Sequence, residues 1–97
     1  MVKEIIWTPE SEKSFEAVLT YLQLKWTQRE VSNFIAKTNE VITHISHFPL
    51  SFRHAGKGDV REAVITEQTI LLYRISGQTL YLLYFWSTKR NPAKKPI

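Results

Sequence analysis

Three arginines stand in or beside the strand-like runs of the last third of this chain: Arg61, Arg74 and Arg90. A guanidinium group binds phosphate or carboxylate with two parallel hydrogen bonds and never loses its charge. Alternation along Val60–Thr66 sets Arg61, Ala63 and Ile65 on one side and Val60, Glu62 and Val64 on the other. With Arg53, His54 and Lys57 in the preceding loop, these cations are expected to ring a concave sheet face. Such a ring serves three kinds of chemistry. It stabilises charge developing on a scissile phosphate, grips an acidic peptide, or neutralises the neighbouring Asp59 and Glu62.

Aromatic residues crowd the same region: Tyr73, Tyr81, Tyr84, Phe85 and Trp86. Strict alternation places Tyr81, Leu83 and Phe85 on one side of the last strand, and Leu80, Leu82, Tyr84 and Trp86 on the other. Both sides are then apolar. One is covered by helices, and the other is expected to be an exposed patch that marks a protein partner. Tyr81, Phe85, Trp86 and Lys89, with Arg53, His54 and Lys57, are the expected partner-binding residues.

Other chemistries find little support. The chain has no cysteine, so it has no disulfide and no thiol nucleophile, in keeping with a reducing cytoplasm. Its three histidines include His44 and His47 at helical spacing, a pair short of a metal site. No phosphate-cradling glycine motif and no serine–histidine–acid arrangement is present. No metal and no cofactor is therefore expected. No run approaches the roughly 20 apolar residues of a membrane span, and the N-terminus carries no signal-peptide pattern.

The elements that must position these residues are legible. The 97 residues suit one domain, 1–97, and a 43% hydrophobic fraction with three tryptophans suits a folded one. The net charge of +4 favours acidic partners. Val2–Trp7 reads as a strand. Thr8 and Pro9 open a helix with the stripe Phe15, Val18, Leu19, Leu22 and Trp26. Thr27-Gln28-Arg29-Glu30 is a capping box that opens a second helix, with the stripe Val31, Phe34, Ile35, Thr38, Val41, Ile42 and Ile45, ending near His47. Strands follow over Val60–Thr66, Thr69–Ser76 and Thr79–Trp86, with Gly77-Gln78 as a tight turn. The order is β-α-α-β-β-β, an α+β domain in which a helical hairpin packs on a mostly antiparallel sheet.

In this order, V-R-E-A-V-I at Val60–Ile65, L-L-Y-R-I at Leu71–Ile75 and K-R-N-P at Lys89–Pro92 resemble the toxins of the RelE/ParE superfamily from bacterial type II toxin–antitoxin modules. The resemblance spans nearly the whole chain. It implies a cytoplasmic growth inhibitor, of the plasmid-stabilisation kind, held silent in a hetero-oligomer with a cognate antitoxin. ParE-like members poison DNA gyrase; RelE-like members cut messenger RNA on the ribosome without a metal. Arg61 falls where the RelE type has its first sheet lysine, and Arg90 where it has an arginine after the last strand. Ala63 replaces the second sheet lysine, Ile70 replaces another arginine, and no tyrosine or histidine follows Arg90. If the chain is a ribonuclease, Arg61, Arg74 and Arg90 are its phosphate ligands and Tyr84 its proton carrier, with His54 or Lys57 as substitutes. The incomplete set favours the ParE type. An inactive toxin-fold binding module is the remaining alternative.

Overall fold

The computed structural model describes residues 2–56 and 58–87. Strand β1 (Glu4–Trp7) leads into helix α1 (Pro9–Lys25) and helix α2 (Gln28–His47), followed by β2 (Val60–Thr66), β3 (Thr69–Ser76) and β4 (Thr79–Ser87). The first strand is shorter than the apolar run Val2–Trp7 implies, and the last runs one residue further than Trp86. The sheet order is β1-β4-β3-β2. Strands β2, β3 and β4 pair antiparallel, and β1 pairs parallel with β4, so the sheet is mixed.

Both helix starts are built as the residue types dictate. The Thr8 hydroxyl accepts from the Ser11 amide, and Pro9 follows as the first helical residue. The Thr27 hydroxyl accepts from the Glu30 amide. Glu10 and Glu12 sit in the first turn of α1 and His44 and His47 in the last turn of α2, each sign matching the helix dipole.

The core lies between the hairpin and one face of the sheet. Helix α2 buries Val31, Phe34, Thr38, Val41, Ile42 and Ile45, whereas Ile35 stays exposed. Helix α1 departs from its apolar stripe: its buried residues are Ser11, Ser14 and Val18, while Phe15, Leu19 and Leu22 are half-buried. The small serines let α1 lie close to β4, and their hydroxyls bond to the Thr8 and Ser11 carbonyls. Trp7, Phe15, Phe34 and Phe85 form an aromatic cluster with ring centroids 5.0–5.7 Å apart.

A β-bulge in β4 reorders the faces. Leu72 pairs with Tyr84, but the next residue, Tyr73, pairs with Leu82, so Leu83 is the extra residue. Before the bulge Leu80 and Leu82 face the helices; after it Phe85 does. Tyr81, Tyr84 and Trp86 therefore share the outer face, opposite Arg74, Leu72 and Ile70. The alternation expected from the sequence fails at Leu83. Phe85, expected on the partner-binding surface, is only 2% exposed and packed between α1 and β1.

Candidate functional site

The outer face of the sheet carries three rows of side chains set by the strand register. Ile6, Tyr81, Arg74 and Val60 form one row, Tyr84, Leu72 and Glu62 the next, and Trp86, Ile70 and Val64 the third. The Arg74 guanidinium carbon lies 4.9 Å from the centroid of the Tyr81 ring, a cation–π contact across the β3–β4 pair. Tyr81, Tyr84 and Trp86 are half-buried, Leu72 is fully buried and Val64 is exposed. The face is thus less bare than an apolar patch of unpartnered strand residues, and its exposed chemistry is aromatic edges and arginine.

Arg53 joins this face through the edge strand. The Glu62 amide donates to the Arg53 carbonyl and the Ala55 amide to the Val60 carbonyl, so residues 53–55 run antiparallel along β2. Arg53 Nε then donates to Glu62 Oε1 at 2.7 Å. The Arg53 side chain is 80% exposed but the carboxylate of Glu62 only 4%. A buried carboxylate without hydrogen-bonding partners is very unfavourable, so this bond holds Arg53 in place. His54, on the opposite side of the same short run, is exposed and bridges Arg61 through the backbone.

Arg61 is placed differently from its expected role. It pairs directly with Tyr73, which is in the core, and so lies on the helix side of the sheet rather than with Arg74. Its Nη1 donates to the Phe52 carbonyl at 2.5 Å and approaches the Leu50 carbonyl at 3.5 Å. The Tyr73 hydroxyl donates to the Pro49 carbonyl at 2.7 Å. Burial pushes the Tyr73 phenol up to about 12, with the Arg61 charge opposing the shift. Together these two side chains hold the turn after α2, where polar backbone groups have no helix or sheet partner. No ring of arginines forms among the described residues: Arg61 and Arg74 sit on opposite faces. Lys57, Lys89 and Arg90 lie outside the described residues.

Two hydroxyls fix the bulge that sorts the aromatics. Ser14 Oγ accepts from the Phe85 amide at 2.9 Å, and Thr8 Oγ1 donates to the Leu82 carbonyl at 2.7 Å. The sequence signal for these residues is faint: Ser14 shares a helical face with Ser11 and Val18, and Thr8 reads as the helix cap. No group of three histidine, cysteine, aspartate or glutamate residues that could hold a metal occurs among the described residues. His44 and His47 instead pack on Phe48, and His44 also on Phe52. No helix among the described residues is long and apolar enough to cross a membrane.

No family model matches the chain, and no curated protein matches it in sequence. Solved structures do match in fold. The chromosomal ParDE toxin–antitoxin system of P. aeruginosa matches with a TM-score of 0.74 at 11% identity, over 89% of this chain and 96% of that one. A copper-bound mutant toxin from Helicobacter pylori matches with a TM-score of 0.64 at 24% identity, over 94% and 99%. The DinJ–YafQ toxin–antitoxin complex of E. coli matches with a TM-score of 0.64 at 11% identity, over 94% and 98%. The fold is that of the RelE/ParE-type toxins. The toxin fold covers nearly the whole chain, and its helical hairpin and four-stranded sheet are the ones described above. Within this fold the bulge at Leu83 gathers Tyr81, Tyr84 and Trp86 beside Arg74.

Proposed function

We propose that this protein is the toxin of a type II toxin–antitoxin module, inhibiting growth by binding its target and silenced by a cognate antitoxin. The fold neighbours support the general role, since two of those named are toxin–antitoxin systems. For the target, DNA gyrase is the favoured reading over ribosome-bound messenger RNA. The observation that carries this preference is the engagement of Arg61. A cation in the position of the nuclease's first sheet lysine must be free to meet a phosphate. Here it donates to the carbonyls of the turn after α2 and faces away from Arg74.

The outer face suits partner binding. Tyr81, Tyr84 and Trp86 supply rigid amphipathic area, and Arg74 and Arg53 supply fixed charge at its centre and edge, a composition typical of interface anchors. An antitoxin segment that is acidic and orders on binding complements it.

A nuclease reading keeps one specific support: Arg74 and Tyr84 lie on the same face of neighbouring strands. Induced expression, with and without the cognate antitoxin, separates the possibilities through independent readouts of DNA replication and translation. The gyrase reading expects replication to stop first, with messages uncut by primer extension. Cleaved messages would assign the nuclease role, and unimpaired growth an inactive binding module.

A further inference from the structure

A hollow lies on the helix side of the sheet, away from Arg74 and the outer face. It is a cleft of about 430 Å³ between the turn end of the helical hairpin and the β2–β3 turn. That volume is within the range of small-molecule sites, about 300–1,000 Å³. Its apolar lining includes Tyr21, Trp26 and Phe34, with Ile65 from β2. Trp26 closes the end of α1 through its amide, which donates to the Leu22 carbonyl, and the residue is left 48% exposed. Neither Tyr21 nor Trp26 stacks on another ring among the described residues.

The polar lining is biased in sign. Glu30, Lys37 and Glu67 are its ionisable groups with the phenol of Tyr21. Lys37 is paired with Glu40 at 3.3 Å, while neither Glu30 nor Glu67 has an ion-pair partner among the described residues. The cleft therefore combines two unpaired carboxylates with open tryptophan and tyrosine rings. Indole and phenol faces attract cations through the ring quadrupole, and carboxylates add direct charge attraction.

We propose that this cleft binds a small organic cation, an ammonium or guanidinium group carried on an apolar or aromatic body. The head group meets the Glu30 and Glu67 carboxylates, and the body lies against Trp26, Tyr21 and Phe34. The site is independent of the toxin reading, because it shares no residue with the outer face.

The test is amide and indole chemical-shift mapping on the full chain, titrated in parallel with 2-phenylethylammonium and with neutral 2-phenylethanol. The cation is expected to shift Tyr21, the Trp26 indole, Glu30 and Glu67 and to saturate on the order of 1 mM. The alcohol is expected to bind at least about tenfold more weakly, the discrimination that about 1.4 kcal/mol of charge attraction gives. The double variant Glu30→Gln, Glu67→Gln is expected to erase that difference while keeping a native spectrum, since both residues are exposed. Trp26→Ala is expected to weaken both probes. Equal binding of cation and alcohol, cation binding that survives the double glutamine variant, or no saturation would each overturn the proposal. So would a Lys-Leu-Lys-Leu-Lys peptide that shifts the same amides when 2-phenylethylammonium does not, which would assign the cleft to a protein partner.

Discussion

Arg61 Nη1 lies 2.5 Å from the Phe52 carbonyl oxygen, so the residue expected from the sequence to meet a phosphate braces the turn after α2. Loss of the side chain is expected to show as instability rather than as a lost contact to a partner. A hydrogen bond to a charged donor contributes about 1.5–3 kcal/mol, and part of that is screened by solvent here. Arg61→Ala is therefore expected to lower unfolding free energy by about 1–2 kcal/mol in urea titration. Arg74→Ala, which removes a surface cation–π pair, is expected to lower it by about 0.5–1 kcal/mol. In binding to the proposed antitoxin the order reverses: Arg74→Ala is expected to weaken the complex and Arg61→Ala to leave it intact once folded protein is compared.

Tyr73 gives the turn a pH dependence. Its phenol titrates near 12 in the folded chain against 10.0 ordinarily, chiefly because it is buried. The folded state thus favours the protonated phenol, the form that donates to the Pro49 carbonyl. Its contribution is complete below pH 10.0 and is lost as pH rises towards 12. Tyr73→Phe removes the donor and is expected to lower stability by about 1–3 kcal/mol at neutral pH. The gap between the two proteins, followed by thermal melts, is expected to close between pH 10.0 and 12. A gap that stays constant over that interval would contradict the assigned role of the phenol.

The bulge at Leu83 can be tested through Ser14. Its hydroxyl is the acceptor for the Phe85 amide, in a buried position. Ser14→Ala leaves that amide without its partner, an expected loss of about 1–3 kcal/mol. Hydrogen exchange at Phe85 is expected to accelerate more than at Leu71, its partner on β3. Uniform acceleration across the sheet would mean that Ser14 acts on global stability alone.

Phe85 and Tyr81 discriminate the two possible face assignments. With the bulge, Phe85→Ala opens a cavity in the aromatic cluster and is expected to destabilise by about 3–5 kcal/mol. That is a large share of the roughly 5–15 kcal/mol available to a domain of this size. Tyr81→Ala is expected to be milder in stability and to weaken partner binding instead. Similar small effects at both positions, measured by urea unfolding, would support unbroken alternation.

Element types and order were legible because each start carries its own chemistry: Thr8-Pro9, the Thr27–Glu30 cap and the Gly77-Gln78 turn are local signals that the fold obeys. The site was less legible because it depends on pairings between distant residues. Alternation read along β4 cannot reveal an extra residue at Leu83, since the bulge is set by Ser14 and Thr8 on another element. Arg61 illustrates the same gap. Its type and spacing fit an anion site, but the unpaired carbonyls of Leu50 and Phe52 come from a turn whose position no local pattern fixes. Alternation already sets Glu62 on the side opposite Arg61, and its partner Arg53 comes from a loop that no local pattern places beside it.

The most direct test of the proposed target binding without RNA chemistry is a supercoiling assay with purified gyrase and this protein. Loss of supercoiling with rising protein, reversed by the proposed antitoxin and preserved in Arg61→Ala after correction for folded protein, is the expected result. Undiminished supercoiling at a large excess of folded protein would contradict it.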